Sequence, residues 1–540
     1  MDIKWNMGDL LDAVARVVPP QRPAIIQGDC VVSWADLDAR SNRLARNMMA
    51  GGLLAGERVA LLSRNAPEYL EGMVACFKAR LVQVNINYRY RADEIAYVFR
   101  DCSVSAVVYQ KEFEPVLAEV QADFPDVRMW ICCDGEPGLA GAVRFDALAT
   151  DGDAAPLGIE RSGDDALLLY TGGTTGMPKG VQWTSHGYRE SQLESPLIKV
   201  RPRNIEEHVE MVAANDTPGR VLPACPLMHG AGMASSVAEL LVGGTVLLLP
   251  SMTFNADELW TVASTLKATR ILIVGDVFAR PMLAALDAQP GRYDLSQLKV
   301  ISSAGLIWSE ASKQGLLRHA PWLVLADIFG ASEASGLGYA VTTRDQDMPT
   351  GQFIPGPKTV LITEDDVVLG SEQPGEGMLA RSAPLPEGYF GDPKKTAQTF
   401  RTLGGVRYGI PGDLARRDAD GRMFLIGRGS LVINTGGEKV FVEEVEEALK
   451  MLPGVNDALV VGLPDERWGS IVVALVQGAA GTLPTDAQMR AGMAGKIAGY
   501  KVPKLFFPVD VMPRSDSGKA DYKRAKALAA ERLAMQESLQ

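Results

Sequence analysis

Short apolar runs alternate along the chain with longer segments in which apolar positions recur at helical spacing. Arg58–Leu62 predicts a strand, residues 68–78 predict an amphipathic helix, and residues 106–109 predict the next strand. The same rhythm returns in the apolar runs at residues 245–249, 271–274 and 299–302. Alternating strands and helices are typical of parallel sheets covered by helices. We therefore expect an α/β fold whose large N-terminal domain contains mixed or parallel sheets covered by helices.

The pattern changes near residue 428. A polar, glycine-containing stretch at residues 427–430 follows a strand-like run, and an amphipathic helical pattern begins near residue 441. A strand-like segment, DALVVGLPD, comes next at residues 457–465. Polar stretches of this kind commonly join domains. We predict an N-terminal domain over residues 1–428 and a smaller, mobile α+β domain over residues 429–540.

Residues 194–220 interrupt this order. The segment contains Arg-Pro-Arg, two adjacent glutamates and Asn-Asp-Thr-Pro-Gly-Arg, and it lies between two motifs with chemical character. We interpret it as a surface insertion. A solvated excursion is favoured over a segment that shapes a pocket entrance, because long polar connections usually run over protein surfaces.

Composition narrows the class of protein. The 540 residues are 47% hydrophobic and 22% charged, and the formal net charge is −12. An acidic balance argues against general binding to nucleic acid or anionic membranes. The six cysteines form no Cys-x-x-Cys pair, so we expect buried, reduced thiols. With neither a secretory signal nor an apolar run of about 18–20 residues, the sequence predicts a cytoplasmic protein without a transmembrane segment.

The strongest local signal is the run LLLYTGGTTGMPKG at residues 167–180. A strand-like segment leads into a loop dense in glycine and threonine. Glycines admit close backbone approach, their N–H groups can surround an anion, threonine hydroxyls add donors, and Lys179 adds positive charge. This mixture predicts a polyphosphate-binding loop.

This loop is not a Walker loop. That motif requires G-x-x-x-x-G-K-S/T before a helix. Lys179 follows Pro178 and precedes Gly180, and Lys519 near the C-terminus precedes Ala520. The kinase and P-loop ATPase interpretations therefore lose their main support.

Residues 171–180 closely resemble the signature loop of the acyl-adenylate-forming superfamily, which includes acyl-CoA synthetases, firefly-type luciferases and nonribosomal adenylation domains. The resemblance implies ATP as a substrate. It implies phosphate contacts from Thr171, Gly172, Gly173, Thr174, Thr175, Gly176 and Lys179.

A second run, IFGASE at residues 328–333, resembles the superfamily's aromatic–Gly–x–Ser/Thr–Glu motif. The resemblance places Phe329 against adenine, Ser332 on phosphate and Glu333 on Mg²⁺. An aromatic face suits a purine, and a hard cation prefers carboxylate oxygen. The small-residue turn near residue 303 resembles a family turn beside the adenine. Further nucleotide contacts are thus implied for Ser303, Ala304, Gly305, Asp327, Ile328, Gly330 and Ala331.

The run YGIPGD at residues 408–413 resembles a family motif whose aspartate binds the ribose hydroxyls. Asp413 fills that position, and an ionised carboxylate can accept from two hydroxyls. Pro411 replaces the usual threonine, which removes one hydroxyl. Arg428 matches the family arginine that also contacts the ribose.

Motifs in the C-terminal segment imply the remaining chemistry. Gly436, Gly437 and Glu438 resemble the element that lines the pantetheine path of CoA. The glutamates of residues 443–446 are interpreted as structural. Leu431 stands where the family often has Asp or Lys at its hinge. Lys519, in PRSDSGK, matches the catalytic lysine, whose ammonium can bridge the substrate carboxylate and the α-phosphate.

Two histidines fall in family-like positions. His229, in Pro-Leu-Met-His, matches a residue at the acyl pocket wall that influences carboxylate placement. His186 follows the phosphate loop, and we favour a structural role for it.

The resemblance covers nearly the whole chain in the family's order. It implies an AMP-forming acid–thiol ligase that uses ATP, Mg²⁺ and CoA, with Lys519, Glu333, Thr171 and His229 as catalytic residues. The similarity is strongest to bacterial fatty-acyl and steroid-side-chain CoA ligases, so a fatty or bulky hydrophobic acid is expected. A stand-alone enzyme that loads a carrier protein, a luciferase-like oxygenase and an inactive relative stay as alternatives. A homodimer is expected from the general frequency of dimers.

Overall fold

The computed structural model describes residues 4–171, 178–195, 198, 200–306, 308–428, 431–435, 438–465, 468–478, 482–494, 496–497, 499–515, 518 and 520–538. Their contacts divide the chain into two units. The larger unit contains Met1–Thr350, Ile354–Lys358 and Arg381–Gly409. The smaller unit contains Gly351–Phe353, Thr359–Ala380 and Ile410–Gln540.

The helices, in chain order, are α1 (Met7–Val17), α2 (Trp34–Ala50), α3 (Pro67–Lys78), α4 (Ala92–Cys102), α5 (Glu114–Val120), α6 (Phe145–Thr150), α7 (Ser185–Leu193), α8 (Ile205–Ala213), α9 (Gly230–Leu240), α10 (Ala256–Thr265), α11 (Asp276–Ala288), α12 (Glu310–His319), α13 (Pro393–Thr399), α14 (Val442–Lys450), α15 (Asp486–Met493) and α16 (Tyr522–Ser538). Short 3₁₀ turns lie at Lys111–Phe113, Gln121–Asp123 and Gly499–Lys501.

The strands are β1 (Pro23–Gln27), β2 (Cys30–Ser33), β3 (Arg58–Leu62), β4 (Val82–Asn85), β5 (Val104–Tyr109), β6 (Met129–Cys132), β7 (Val143–Arg144), β8 (Ala166–Thr171), β9 (Lys179–Thr184), β10 (Arg220–Pro223), β11 (Thr245–Leu248), β12 (Arg270–Ile273), β13 (Val300–Ala304), β14 (Val324–Ala331), β15 (Ala334–Thr342), β16 (Gln352–Pro355), β17 (Thr359–Ile362), β18 (Val368–Leu369), β19 (Gly375–Ser382), β20 (Gly388–Tyr389), β21 (Phe400–Leu403), β22 (Val406–Gly409), β23 (Asp413–Arg417), β24 (Met423–Arg428), β25 (Val432–Thr435), β26 (Glu438–Phe441), β27 (Asp457–Asp465), β28 (Gly469–Gln477) and β29 (Leu505–Pro508).

Two sheets organise the larger unit. In the first, the strands follow the order β15-β14-β13-β12-β10-β11-β1-β2, and β14 through β1 run parallel. The second sheet has the order β20-β9-β8-β4-β3-β5-β6-β7, with β8 through β7 parallel. Antiparallel strands close both sheets next to the parallel part. The predicted α/β fold with mixed or parallel sheets is confirmed.

Helices cover both sheets on both faces. The layer between the sheets contains α2, α3 and α9, and α3 contacts strands of both sheets. The outer face of the first sheet packs against α10, α11 and α12, and the outer face of the second packs against α4 and α5. Continuous apolar strands such as β5, which is buried throughout, fit this double coverage.

Helix α3 corrects one expectation. The sequence predicts an amphipathic helix at residues 68–78, but α3 is buried on almost every side because it lies between two sheets. Its terminal Lys78 is 1% exposed and forms ion pairs with Asp38 at 2.6 Å and Asp12 at 3.3 Å. A buried ammonium requires such partners, since an unpaired charge in the interior is very costly.

Residues 194–220 are not a plain solvated excursion, contrary to expectation. They contain α8, which packs against α1 and buries His208 completely. Asn204 caps the helix by accepting from the N–H of Glu207 at 2.8 Å. His208 lies 2.7 Å from the Leu241 carbonyl oxygen, so the segment is fixed to the end of α9.

The smaller unit contains a sheet with the order β18-β17-β19-β23-β24-β16, the hairpin β25–β26, and a three-stranded sheet β27-β28-β29. Helices α14 and α16 pack on β27. The predicted helix and strand after residue 441 are both confirmed. Residues 359–380 and 410–428 group with this unit by contact. The predicted boundary at residue 428, together with its hinge, concerns motion and stays a prediction.

The helices and the cysteines bear on two further expectations. No helix among the described residues is long and apolar enough to cross a membrane. Four cysteines are buried thiols, as expected, but Cys30 is exposed and Cys133 is only partly buried by area. Cys30 opens β2 at an edge of the first sheet, which explains its exposure.

Candidate active site

The chemical residues of the larger unit lie where parallel strands end. Thr171 ends β8, Ala304 ends β13 and Ala331 ends β14, while His229 follows β10. In β14, Leu325 and Ala326 are buried, whereas every residue from 327 to 333 is at least partly accessible. Ligands of open α/β sheets bind at the carboxyl ends of strands. The fold therefore provides a binding edge where the motifs occur.

The phosphate loop is framed by a hairpin. Strands β8 and β9 pair antiparallel, and their last pairs are Tyr170 with Gly180 and Thr171 with Lys179. A Cβ at Gly180 would lie 2.8 Å from the Tyr170 ring, so a larger residue there would force the ring to shift. The hairpin thus brings Thr171 and Lys179 to opposite positions. Gly172, Gly173, Thr174, Thr175 and Gly176 lie outside the described residues.

Ser332 and Glu333 form the turn between β14 and β15. Ala331 pairs with Ala334, so these two residues occupy the tip of a tight hairpin. The indole Nε1 of Trp183 donates to the Ser332 carbonyl at 3.1 Å, which fixes the turn against β9. A Cβ at Gly409 would lie 2.8 Å from the Glu333 carbonyl oxygen, so the turn is also closely covered on that side.

Tyr389 connects this turn to the phosphate hairpin. Its hydroxyl donates to Glu333 Oε1 at 2.7 Å, and the Lys179 ammonium lies 5.7 Å from its ring centroid. Burial, and then the adjacent Glu333 carboxylate, raises the pKa of Tyr389 well above its ordinary value, so the hydroxyl stays a donor. Strand β20 holds Tyr389 by pairing it with Val181 of β9.

Sequence reasoning missed Tyr389. It lies in a short Glu-Gly-Tyr-Phe run that has no periodic or chemical signal of its own. Only the pairing of β20 with β9 brings it between Lys179 and Glu333, and that pairing spans about two hundred residues of chain.

His229 is the residue that precedes α9, and the loop before it is clamped by two asparagines. Asn85 Nδ2 donates to the carbonyls of Tyr170 at 2.9 Å and Met228 at 2.6 Å, while its Oδ1 accepts from the Tyr170 N–H. Asn65 binds the Cys225 carbonyl and the Leu227 N–H in the same way. The second sheet thereby fixes the loop that leads to His229.

These asparagines were also missed, although a signal existed. Asn85 ends β4 and Asn65 follows β3 by three residues. Polar side chains directly after buried strands lie at the binding edge of a parallel sheet. The clamp brings the loop near the hairpin turn, since a Cβ at Gly230 would lie 3.9 Å from Ser332 Oγ.

In the turn near residue 303, one residue is buried and the next two are accessible. Ser303 is fully buried and its hydroxyl accepts from the Gly275 N–H at 2.9 Å, so it fixes a neighbouring loop. Ala304 is partly exposed, and Gly305 is exposed with φ +90°. Asp327 forms an ion pair with the buried Lys313. Burial raises the pKa of the Asp327 carboxyl, and the ammonium opposes that shift.

The two residues assigned to the ribose belong to the smaller unit. Asp413 begins β23 and lies opposite Arg428 of β24. Asp413 is 6% exposed. The strand pairing therefore brings the two predicted positions together.

Several predicted residues lie outside what the structure describes. Gly436, Gly437 and Lys519 are among them, and the side chains of Arg428 and Glu438 are not described. The backbone of Glu438 opens β26, opposite Thr435. Of the two structural assignments, His186 is supported, because its Nδ1 accepts from the Trp5 N–H at 3.2 Å. Glu446 is likewise buried, and it accepts from the Val460 N–H at 2.9 Å.

The residues present fit a magnesium ion that arrives with a polyphosphate. Mg²⁺ takes one or two carboxylates, keeps several waters and completes its shell with phosphate oxygens. Glu333 supplies one partly exposed carboxylate in the same unit as Lys179. The described residues contain no group of three or more His, Cys, Asp or Glu side chains that could hold a metal alone.

This edge combines a cation from Lys179, a carboxylate from Glu333, a hydroxyl donor from Thr171 and the accessible aromatic Phe329. Such a set can hold a metal-bound polyphosphate on one side and a flat base on the other. The strand ends thus bring together, in an α/β fold, the groups that a nucleotide-binding enzyme uses.

Comparisons with known families agree with that class. Residues 11–390 match the family of AMP-binding enzymes, and residues 444–519 match the C-terminal domain of AMP-binding enzymes. The chain belongs to the AMP-binding enzyme family.

Relatives of nearly full length carry more specific names. A medium/long-chain-fatty-acid–CoA/3-oxocholest-4-en-26-oate–CoA ligase of Mycolicibacterium smegmatis is 38% identical, covering 98% of this chain and 97% of its own. A 3-oxocholest-4-en-26-oate–CoA ligase of Rhodococcus rhodochrous is 36% identical, with 96% and 95% covered. The medium-chain acyl-CoA ligase Mig of Mycobacterium avium is 36% identical, with 96% and 98% covered.

Solved structures share the fold. An anthranilate CoA ligase in complex with anthranoyl-AMP superposes with TM-score 0.83 at 21% identity, covering 99% of both chains. ATP-bound MatB from Rhodopseudomonas palustris gives 0.81 at 24% identity, covering 97% of this chain and 99% of that one. The family match and the full-length relatives confirm the predictions of an acyl-adenylate-forming superfamily member and of an acid–thiol ligase.

Proposed function

We propose that the chain is an AMP-forming acyl-CoA ligase whose acid is a medium- or long-chain fatty acid or a steroid side-chain acid. The names of the full-length relatives support this class of acid. The observation in the structure that carries the proposal is the contact of Tyr389 with both Lys179 and Glu333. It gathers a cation and a carboxylate at the edge where the strands end.

The first step activates the acid. A carboxylate is a poor electrophile because its leaving group would be oxide. One carboxylate oxygen attacks the α-phosphorus of ATP, the bond to the bridging oxygen breaks, and pyrophosphate leaves. In this proposal Thr171, Thr174, Lys179 and Lys519 stabilise the charge that moves onto pyrophosphate. Glu333 would hold a magnesium ion, which would supply additional positive charge. Positioning and fixed electrostatics carry most of such an acceleration.

The second step makes the thioester. The CoA thiol loses its proton, its sulfur attacks the acyl carbon, and the carbon–oxygen bond to AMP breaks. Gly436, Gly437 and Glu438 line the path of the pantetheine arm in this proposal. A rotation of the C-terminal domain (residues 429–540) withdraws Lys519 and brings that path to the acyl group.

The remaining predicted residues hold the nucleotide and the acid. Phe329 lies against adenine, Asp413 and Arg428 bind the ribose, and Ser332 contacts phosphate. His229 borders the acyl pocket and guides the carboxylate. The other contacts to the nucleotide are assigned to Ala304, Gly305, Asp327, Ile328, Gly330 and Ala331. Ser303 contributes to nucleotide binding indirectly, because its hydroxyl accepts from the Gly275 N–H and fixes the neighbouring loop.

The test is acid-dependent release of AMP from ATP and Mg²⁺, with and without CoA. The acids tested are octanoate, palmitate, benzoate and 3-oxocholest-4-en-26-oate, the last of which appears in the name of a relative. We expect CoA-dependent turnover with a fatty or steroid acid. Turnover that needs a carrier protein with a free phosphopantetheine thiol in place of CoA would favour the alternative enzyme. Turnover only with benzoate would contradict the acid class.

A second test addresses the catalytic role of Lys519 in adenylation. Lys519→Ala is expected to reduce the acid-dependent exchange of pyrophosphate into ATP about 100-fold, because an uncompensated charge remains in the transition state. ATP binding, followed by a fluorescent analogue, changes little. Equal exchange in variant and wild type would refute the role of Lys519.

From the sequence we also propose a homodimer and a cytoplasmic location.

A further inference from the structure

The described residues on either side of Lys519, Gly518 and Ala520, are both held by contacts with nearby residues. Residue 519 lies outside the described residues, but its neighbours Gly518 and Ala520 are described. Gly518 N–H donates to the Ser515 carbonyl at 2.8 Å, and Gly518 has φ +78°, which favours glycine. Ala520 forms an antiparallel bridge with Arg514. Asp521, the residue before α16, accepts from the Arg524 N–H at 2.9 Å.

The Arg514 guanidinium donates hydrogen bonds from two edges, one to the Asp457 carboxylate and one to the Gly518 carbonyl. One edge donates to the Asp457 carboxylate through Nε and Nη2, both at 2.7 Å. The remaining Nη1 donates to the Gly518 carbonyl at 3.0 Å. A bidentate carboxylate fixes the plane of the guanidinium, so the third donor has a fixed direction. That direction fixes the Gly518 carbonyl, which belongs to the residue directly before Lys519 in the chain.

The anchor of this arrangement is rigid. Asp457 is the first residue of β27, which pairs with β28 along all nine of its residues. The side chains of Arg514 and Asp457 are 25% and 19% exposed, so solvent screens the pair only partly. The Asp457 carboxylate also accepts from the Ala458 N–H at 2.9 Å, which fixes its own rotamer.

We infer that Arg514 and Asp457 form a positioning pair that sets the Lys519 loop for the adenylation step. The pair acts through the Gly518 carbonyl. Neither residue needs to touch ATP or the acid. The inference rests on the proposed function, in which Lys519 serves adenylation and is withdrawn during thioester formation.

This division between the two steps makes the role measurable. A displacement of about 1 Å in a catalytic group can cost on the order of 100-fold in rate. Loss of the pair therefore slows the step that uses Lys519. The thioester step keeps its rate, because its groups lie in other parts of the chain. A merely structural contact would instead destabilise the unit and lower both rates together.

The experiment measures the two half-reactions of the full-length enzyme separately. The probe is the acid with the fastest wild-type turnover among the four above, together with its chemically synthesised acyl-adenylate. Single-turnover pyrophosphate release reports adenylation, and AMP release from the acyl-adenylate with CoA reports thioester formation. For Arg514→Lys and Asp457→Asn we expect adenylation to fall about 10- to 100-fold and thioester formation to change less than about twofold. The double variant is expected to lose no more than the worse single variant.

The matched control is Arg490→Lys. Arg490 also cross-links backbone carbonyls of the smaller unit, those of Pro503 and Lys504, both at 2.5 Å. Its loss should leave the ratio of the two half-reaction rates unchanged. Equal loss of both rates in the Arg514 and Asp457 variants, or unchanged adenylation in Asp457→Asn, would overturn the inference.

Lys519→Ala separates this inference from the proposed function. If Lys519→Ala lowers adenylation but the Arg514 and Asp457 variants do not, only the positioning role fails. If Lys519→Ala leaves adenylation intact, the assignment of Lys519 fails, and the positioning role fails with it.

Discussion

At the scale of single residues, Glu333 shows how one side chain depends on two others. Its carboxylate lies at a hairpin tip, where it accepts from Tyr389, and the Tyr389 ring lies near Lys179. A charge-assisted hydrogen bond to a carboxylate is worth roughly 1.5–3 kcal/mol and has a defined direction. Tyr389 therefore orients the group that the proposal assigns to the metal.

Tyr389→Phe keeps the ring near Lys179 but removes the donor to Glu333. We expect the adenylation rate to fall about 3- to 30-fold, since part of that hydrogen-bond energy is lost. The Mg²⁺ concentration for half-maximal binding of a fluorescent ATP analogue should rise. Tyr293→Phe is the control, because the Tyr293 hydroxyl donates to Asp257 at 2.6 Å outside this site. An unchanged Mg²⁺ titration would argue against the orienting role.

Glu333→Gln removes the charge and keeps the shape. We expect the acid-dependent exchange of pyrophosphate into ATP to fall about 100-fold, because the carboxylate assigned to the metal becomes neutral. Calorimetric titration of the variant with ATP in the presence of Mg²⁺ should show weaker binding than for wild type. ATP without Mg²⁺ should bind to both equally. Near-normal exchange at low Mg²⁺ would exclude Glu333 as the metal residue.

At the scale of elements, α8 explains why residues 194–220 do not behave as a surface insertion. The buried His208 bridges Arg189 at 3.4 Å and the Leu241 carbonyl at 2.7 Å. Burial, and then the Arg189 charge, lowers the pKa of His208 to about 4. The neutral ring can accept at Nδ1 and donate at Nε2, and that form fits both partners.

Stability should therefore decrease in mild acid. The unfolded chain binds a proton on this histidine near its ordinary pKa of about 6.5, whereas the folded chain resists it down to about 4. The contribution is present above pH 6.5 and is lost as the pH falls toward 4, by up to about 3 kcal/mol.

The measurement is the urea unfolding midpoint between neutral pH and mild acid for His208→Gln and for wild type. Glutamine keeps a donor for the Leu241 carbonyl but does not titrate. The variant should lose less stability over that interval than wild type. His319→Gln, which removes a histidine beside Asp287, is the control. Parallel pH profiles for wild type and His208→Gln would contradict the assigned burial cost.

The asparagine clamp is a second property of elements, because it joins β4, β8 and the loop before α9. Asn85→Asp would place a carboxylate against two carbonyl oxygens and remove both donors. We expect unfolding free energy to fall by about 2–3 kcal/mol and the KM for the acid to rise more than the KM for ATP. Asn255→Asp is the matched control, since an N-cap aspartate accepts as well as asparagine. Equal rises in both KM values would contradict a specific effect of the asparagine clamp on binding of the acid.

At the scale of the whole molecule, the alternation of apolar runs was enough to predict the class of fold. Strands at residues 58–62, 106–109 and 457–465 follow from local pattern, because sheets need continuous apolar segments. The burial of α3 could not be predicted, since it depends on a second sheet packing over the first. The motif resemblance indicated the loop at residues 171–180 and the run at residues 328–333, but not the strand pairing that positions them.

What the sequence did not indicate are the residues that hold those motifs in place. Tyr389, Asn65, Asn85 and the pair Arg514–Asp457 act through contacts between distant segments of the chain. Their types carry no specific chemistry, and their spacing follows no period. Such positioning residues become visible only when the strands are paired in space.

The central claim is that one carboxylate oxygen attacks the α-phosphorus of ATP and that CoA then displaces AMP. The direct measurement uses an acid whose carboxylate carries a heavy oxygen isotope, incubated with enzyme, ATP, Mg²⁺ and CoA. The account predicts AMP that contains one oxygen from the acid, together with unlabelled pyrophosphate and a labelled thioester. Unlabelled AMP, or label in pyrophosphate or inorganic phosphate, would contradict activation through an acyl-adenylate.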